Sequence, residues 1–350
     1  MRLVSGTLRA MFAGVSFCAL AVATPSNAQE LKELNILLPN NNTTGLYPVI
    51  VARELGLFEK QGLKINWLDS DTTVPYVAFL SNGQADAVML DAPQTFQAVN
   101  AKLTIKVVYE AMQNAPEVVA VRDDSPIQNV SELKGKTIGL ASDRDQVTVQ
   151  VVLDTAGISI DEVKTVVVGD TGPVMAKAFR DNSIDAIAAA INDLTTIESS
   201  GIKTRDITPP EVKINPANTF SVWEPRIEEL RPHLEKFFLV WTMGTAAAKI
   251  DREAVSKMSA KSVPEEWATE ELGQSLLSGA MITNLPVTEK YGDVQHDVWK
   301  KVQGPYIKFE QIEAEVDPAL FLDGSFIDAA NQFDEEELKN MLAEWKAANP

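Results

Sequence analysis

The stretch that decides the fold is LNILLPNNNTTGLYPVIVAREL, residues 34–55. A buried strand (34–38) runs through the polar loop 39–45 into a helix with an apolar face. The same succession follows twice more, after strands 63–68 and 87–90. In open parallel sheets, ligands bind outside the carboxyl ends of the strands, where helix N-termini present free N–H groups. Residues 34–91 therefore predict half of a binding cleft, although ordinary helix caps give the same pattern.

A second series of strand, polar loop and helix begins after residue 131. Its predicted strands are 137–140, 163–168 and 186–191, and each is followed by a polar loop. Strands that alternate with helices favour an α/β fold. A further strand, 219–223, is predicted to return the chain to the first unit, and the remainder is mostly helical. The stripe in that helical part is interpreted as core; it consists of Leu234, Phe237, Phe238 and Trp241.

These two series predict two α/β lobes. We expect lobe one to contain residues 29–121 plus 222–350 and lobe two to contain residues 122–221. The chain would then cross between them near Val121 and Val222. No Pro- or Gly-rich linker separates the two parts, so we expect two crossings to join them.

The first 28 residues have the pattern of a secretory signal peptide. Arg2 and Arg9 supply positive charge, residues 10–23 are apolar, and small residues precede a cleavage site before Gln29. The apolar run is shorter than the roughly 20 residues that span a bilayer. We therefore predict a periplasmic protein. The single cysteine, Cys18, lies in the removed segment, so the mature chain is predicted to have neither a disulfide nor a thiol nucleophile.

The charge balance argues against some classes of partner. The chain has 49 Asp and Glu against 31 Lys and Arg, a formal net charge of −18. This excess disfavours nucleic acids and anionic membrane surfaces. The two histidines, His233 and His296, lack companions at the spacing of a metal site or a catalytic triad. We predict a monomer with no metal, no cofactor and no enzymatic activity.

Three short motifs carry a family resemblance. They are GLFEKQGL (56–63), LSNGQAD (80–86) and SELKGKTIG (131–139). In this order, after a signal peptide, they resemble the periplasmic substrate-binding proteins of ABC importers, in the nitrate, sulfonate, taurine and thiamine-precursor (NMT1/THI5-like) group. The resemblance implies a type II periplasmic binding protein fold, with two α/β lobes around a central cleft and two hinge crossings.

A narrower resemblance concerns the loop PNNNTTGLY, residues 39–47. It is similar to the PNTNHTGLY loop of binders of thiamine-precursor pyrimidines, with Thr43 in place of the histidine. In the second lobe, the segment that begins with Asn192 and Asp193 does not contain the aromatic residue and the glutamate that are associated with those binders. The resemblance implies capture of a small polar molecule, such as a thiamine-precursor-like pyrimidine or related heterocycle, for delivery to an ABC permease.

Other functions stay open at this point. One is binding of a small organic anion, such as a sulfonate, taurine or an aromatic carboxylate, for the same kind of importer. A periplasmic sensor subunit is another. An enzyme on the same fold, similar to a pyrimidine synthase with a cysteine-rich motif, is disfavoured because the mature chain has no cysteine.

Candidate ligand contacts follow the predicted strands. The polar groups of residues 40–44 exceed what a helix cap needs, Tyr47 and Trp223 offer aromatic faces to a planar ligand, and Arg144 could face an anion. Structural roles are the alternatives: a helix cap for Thr44 or Asp91, a core position for Trp223, and a solvated side chain for Arg144. The predicted set is Asn40, Asn42, Thr43, Thr44, Tyr47, Asp71, Asp91, Gln94, Ser142, Arg144, Gly172, Asp193 and Trp223.

Overall fold

Two five-stranded sheets carry the fold. The first contains β1 (Lys32–Leu37), β2 (Leu63–Leu68), β3 (Ala87–Leu90), β4 (Ile105–Asn114) and β10 (Ile214–Trp223). The second contains β5 (Glu117–Arg122), β6 (Thr137–Leu140), β7 (Lys164–Val167), β8 (Ala186–Ala190) and β9 (Thr204–Asp206). The structure, a computed structural model, describes residues 31–68, 76–143, 145–169, 171–310 and 312–350. The predicted signal peptide, Asp71 and Arg144 lie outside these ranges.

Helices cover the sheets and form most of the C-terminal part. They are α1 (Tyr47–Glu54), α2 (Leu57–Lys60), α3 (Tyr76–Ser81), α4 (Ala92–Asn100), α5 (Asp145–Thr155), α6 (Gly172–Arg180), α7 (Ile191–Ser199), α8 (Pro210–Lys213), α9 (Ile227–Ile250), α10 (Arg252–Ser262), α11 (Glu270–Asn284), α12 (His296–Lys308), α13 (Ile327–Ala330) and α14 (Glu335–Ala348). No helix among the described residues is both long enough and apolar enough to cross a membrane.

The two sheets have the same arrangement. Their strand orders are β2-β1-β3-β10-β4 and β7-β6-β8-β5-β9. In each, the first three strands of that order are parallel, and the fourth runs antiparallel to both of its neighbours. The predicted α/β class with two lobes is therefore confirmed. Lobe one is the first sheet with its helices, and lobe two is the second sheet with its helices.

The chain crosses from the first sheet to the second, and back again, at earlier residues than the sequence predicts. β5 pairs with β8 from Glu117 to Val121, so this strand belongs to the second sheet although we expected it in lobe one. The return strand β10 begins at Ile214, ahead of the predicted crossing near Val222. The segments that join the sheets are thus 115–116 and 207–213. That the lobes move as separate units stays a prediction.

The predicted aromatic stripe of α9 lies in the largest core. Phe237 and Phe238 are completely buried, and Phe220 of β10 packs edge-on against Trp241 with ring centroids 4.7 Å apart. Each lobe-two sheet face has its own apolar cluster, as expected for a sheet covered by helices on both sides. The interpretation of the α9 stripe as core is confirmed.

A buried carboxylate fastens α12 to the first sheet. Glu110 on β4 is 2% exposed. It accepts hydrogen bonds from the backbone N–H of Gln295 at 2.8 Å, from the side-chain amide of Gln295 at 3.0 Å and from the indole N–H of Trp299 at 2.7 Å. Burial raises the pKa of Glu110 to about 7, although these three donors act in the opposite direction. The carboxyl group thus satisfies donors at the start of α12 that would otherwise be unpaired.

Candidate functional site

A cavity of about 210 Å³ lies between the lobes, at the carboxyl ends of parallel strands from both sheets. Its lobe-one wall comes from the loop after β1, the last residues of β3 and β4, the early part of β10 and the end of α11. Its other wall comes from the crossing at Pro116 and the start of α7. The lining residues are Pro39, Asn40, Thr43, Gly45, Leu46, Met89, Met112, Pro116, Ala190, Ile191, Asn192, Asn218 and Thr283.

Most of the lining is apolar, and its polar side chains are uncharged. Among the described residues, its polar side chains are the amides Asn40, Asn192 and Asn218 and the hydroxyls Thr43 and Thr283. Amides both donate and accept hydrogen bonds, and hydroxyls do the same. The thioethers of Met89 and Met112 add adaptable apolar surface. The cavity can therefore hydrogen-bond a polar molecule in both directions, while its described lining offers no counter-ion.

The loop after β1 is held from the C-terminal half of the chain. The carboxylate of Glu266 accepts a hydrogen bond from the Thr43 hydroxyl at 2.8 Å and from the Thr44 backbone N–H at 2.7 Å. The indole N–H of Trp267 donates to the Thr44 hydroxyl at 3.0 Å. Thr44 is fully buried by these contacts, so its role is structural. Thr43, in contrast, lines the cavity.

The two asparagines predicted as ligand contacts in this loop lie in different places. Asn40 lines the cavity, and its side-chain oxygen accepts from the Asn42 backbone N–H at 2.8 Å. Asn42 is exposed and accepts from the Arg53 guanidinium at 2.9 Å. Asn42 is therefore directed to the outside of lobe one and is not part of the cavity wall.

Neither predicted aromatic residue reaches the cavity. Tyr47 is completely buried in the lobe-one core, where its hydroxyl donates to the Thr245 carbonyl at 3.0 Å. Burial also raises the pKa of Tyr47. Trp223 ends β10, which runs antiparallel to β3 with Thr219 opposite Leu90. Trp223 thus lies beyond the amino end of β3, at the edge of the sheet opposite the cavity.

Several predicted residues cap helices. Asp91 and Gln94 form a reciprocal capping box at the start of α4, with a 2.7 Å hydrogen bond from the Gln94 N–H to the Asp91 carboxylate. Ser142 donates to Asp145 through its backbone and its hydroxyl. Asp193 accepts from the Ala190 N–H at 3.0 Å. Asp91, Gln94 and Asp193 thus have the hydrogen bonds of helix caps, and Ser142 holds the first residue of α5.

Gly172 is required for helix packing. A Cβ added there would lie 2.6 Å from the backbone oxygen of Thr196, so only glycine lets α6 approach α7 this closely. Gly172 therefore serves the interior of lobe two and is absent from the cavity wall.

Sequence reasoning did not select most of the cavity wall. Met89, Met112, Asn192, Asn218 and Thr283 line the cavity but were not among the predicted contacts. A signal for two of them was available, because Met89 precedes the end of a predicted strand and Asn192 begins a predicted polar loop. Asn218 and Thr283 lie far along the chain and join the site only through the fold.

The two lobes touch beside the cavity. The Asn192 side chain of α7 lies between two glycines of lobe one: its Nδ2 is 3.6 Å from a Cβ built on Gly45, and its Oδ1 is 2.5 Å from a Cβ built on Gly279. A second contact between the lobes is the ion pair of Lys308 on α12 with Asp154 on α5. The structure therefore has the lobes closed on each other.

The described residues form another hollow. A larger hollow of about 550 Å³ lies within lobe one, between the ends of α4 and α12, and includes Gln97 and Glu310 in its wall. It touches neither sheet edge and contains none of the predicted ligand contacts. Within the described ranges, no group of three or more His, Cys, Asp or Glu side chains is arranged to hold a metal ion.

Comparison with known proteins gives a family. The model of the family described as NMT1/THI5 like matches residues 40–253. No curated protein sequence matches the chain.

Solved structures share the fold at low identity. The periplasmic aliphatic sulphonate binding protein SsuA from Escherichia coli is 18% identical with a TM-score of 0.65, covering 83% of this chain and 91% of that one. The periplasmic nitrate-binding protein NrtA from Synechocystis PCC 6803 is 11% identical with a TM-score of 0.61, covering 91% and 100%. The desulfurization enzyme DszB is 14% identical with a TM-score of 0.58, covering 89% and 99%.

Proposed function

Because this chain belongs to the NMT1/THI5-like family, we propose that it is a periplasmic solute-binding protein that delivers a small polar molecule to an ABC permease. The observation that carries this proposal is the cavity lined by residues of both lobes, at the strand ends where α/β sheets bind ligands. A ligand that contacts both lobes favours their closed arrangement, which is how capture would be coupled to closure.

The lining supports a proposal for the ligand class. Its uncharged amides and hydroxyls suit a neutral molecule with ring nitrogens and an amino or hydroxyl group, such as a thiamine-precursor-like pyrimidine or a related heterocycle. The thioethers of Met89 and Met112 can pack against such a ring. The cavity, about 210 Å³, is smaller than the roughly 300 Å³ at the lower end of common ligand sites, which supports a small solute.

A small organic anion is the second candidate. The solved structures with this fold include an aliphatic sulphonate binder and a nitrate binder. An anion would call for a cationic partner or several N–H donors. The described wall provides amide donors but no cation, and Arg144 lies outside the described residues; we propose the anion as the second candidate.

Binding without turnover is proposed, although a desulfurization enzyme shares the fold. Cys18 lies in the predicted signal peptide, and neither histidine is in the cavity wall. The Thr43 hydroxyl donates to Glu266, but no histidine stands between them as the base of a triad would.

Native mass spectrometry of protein purified without refolding tests this function. We expect a bound small molecule in the mass spectrum. After its removal, the hydroxymethyl aminopyrimidine from which thiamine is made should be retained intact, and ethanesulfonate and nitrate should not. Retention of the sulfonate alone would favour the anion binder. Conversion of the bound compound, or failure to retain any small molecule, would contradict the proposal.

A further inference from the structure

The side chain of Asn218 is held at one end only. Asn218 lines the cavity from β10, and its amide N–H donates to the Met112 sulfur at 3.3 Å. The Oδ1 of the same amide accepts no hydrogen bond from the described residues, and the atom is not fully buried. The amide therefore offers an accessible, unpaired acceptor in a residue of the cavity wall.

The strand that carries Asn218 is irregular on both sides of it. Asn218 lies opposite Met112 of β4, and the register of the two strands shifts between Ile214 and Asn218 and again between Asn218 and Thr219. Pro216, which has no N–H for a strand ladder, lies in the first irregular stretch. Such bulges change the direction of a side chain and are common beside functional sites. The irregular pairing thus provides a reason for Asn218 to point differently from its neighbours in β10.

The other polar side chains of the described wall have no oxygen in this state. Three of their oxygens already take part in hydrogen bonds, and the fourth is fully buried. The paired oxygens belong to Asn40, Thr43 and Thr283, and the buried one belongs to Asn192. Within the described wall, an accessible side-chain oxygen without any hydrogen bond is thus a property of Asn218.

We infer that the Asn218 Oδ1 faces the cavity and selects the solute by accepting a hydrogen bond from one of its N–H or O–H groups. This inference rests on the proposed function and deepens it, because it names the residue that decides specificity. The amino group of an aminopyrimidine supplies such a donor, whereas nitrate and an ionised alkanesulfonate have none. A solute without a donor displaces the water from this oxygen and leaves it unpaired, which should weaken binding by about 10- to 100-fold.

The contact with Met112 does not by itself call for an asparagine. A thioether sulfur is a weak acceptor, and an apolar side chain of the same size could pack against it. The contact instead fixes the orientation of the amide, because an N–H that points at the sulfur turns the oxygen away from it. An acceptor that is already oriented loses little conformational freedom when the solute binds.

Calorimetric titration of the mature protein with two probes tests the inference. The probes are the hydroxymethyl aminopyrimidine and the same pyrimidine with hydrogen in place of the amino group. Wild type should bind the first more tightly than the second by about 10- to 100-fold. Asn218→Leu keeps nearly the size of the side chain but has no acceptor, so it should bind the two probes with similar affinities. Damage to the shape of the cavity would instead weaken both probes and preserve the preference.

Asn218→Ala should also lose the preference, and it is the variant to use if the leucine variant folds poorly. The matched control is Asn42→Leu, at an exposed position outside the cavity wall, which should keep the wild-type affinities for both probes. The inference is overturned if the Asn218 variants retain the wild-type preference. It is also overturned, with the proposed function left in place, if wild type binds the two probes equally. A wild type that binds neither probe contradicts the ligand class of the proposed function, and the inference falls with it.

Discussion

Replacing Gly279 with leucine is expected to weaken ligand binding by on the order of 10- to 100-fold while leaving the ligand-free fold intact. A Cβ at this position of α11 would lie 2.5 Å from the Asn192 Oδ1 and 3.6 Å from the Ile191 Cγ2. Both atoms belong to lobe two. The larger side chain therefore obstructs closure and meets no atom of lobe one at comparable distance.

Although Gly279→Leu should bind ligand more weakly, its ligand-free fold should be at least as stable as that of the wild type. Glycine inside a helix is less favourable than leucine by up to about 1 kcal/mol, so the ligand-free variant should melt at the wild-type temperature or above it. Calorimetric titration with the compound retained in native mass spectra gives the affinity, and thermal unfolding gives the stability. Gly279→Ala should have a smaller effect, because the end of the Asn192 side chain can move aside.

Gly304→Leu is the matched control. Gly304 is also within a helix, α12, and a Cβ there would have no neighbour within 4 Å. It should gain stability in the same way and bind normally. Normal affinity in Gly279→Leu would mean that ligand binding does not require the contact between α7 and α11.

Replacing Glu110 with alanine is expected to lower the free energy of unfolding by roughly 2–4 kcal/mol, because it leaves buried donors of Gln295 and Trp299 unpaired and opens a void. The donors lie 2.7–3.0 Å from the carboxylate. Denaturant unfolding at constant pH measures the change. Glu289→Ala, at an exposed position, is the control and should change the unfolding free energy little.

The pH dependence of Glu110 has a definite sign. Its folded pKa, about 7, lies above the ordinary glutamate value of 4.5, so between these values the folded state binds more protons than the unfolded state. The contribution of Glu110 to stability is thus fully present below pH 4.5 and is lost as the pH rises through 7. In Glu110→Gln this loss should be absent. Parallel pH profiles for wild type and Glu110→Gln would contradict the role of burial.

The fold could be predicted where it depends on local pattern. The polar loop 39–45 and the repeated succession of strand, loop and helix predicted both α/β lobes. The sheet that receives each strand depends on pairing between distant residues. β5 is an apolar run (EVVAV) that fits either sheet, and its pairing with β8, residues 186–190, decides the matter. For this reason the chain crosses to the second sheet earlier than the sequence pattern predicts.

The candidate site was predicted less well, for reasons that individual residues show. Tyr47 follows the polar loop closely, but the turn of α1 directs it to Thr245, almost 200 residues away. Trp223 is a candidate because its aromatic face could stack on a planar ligand, yet β10 is antiparallel and puts its end at the opposite edge of the sheet. Asp193 and Asn192 are adjacent, and only the packed structure distinguishes the helix cap from the residue that faces the other lobe.

The central claim is that the protein closes around a small solute. Small-angle X-ray scattering of the wild-type protein, stripped of ligand by reversible unfolding, measures this directly before and after saturation with the hydroxymethyl aminopyrimidine. The account predicts a smaller radius of gyration in the saturated sample and unchanged chemical identity of the bound compound. An identical scattering profile at confirmed saturation would show that binding does not close the lobes and would contradict the account.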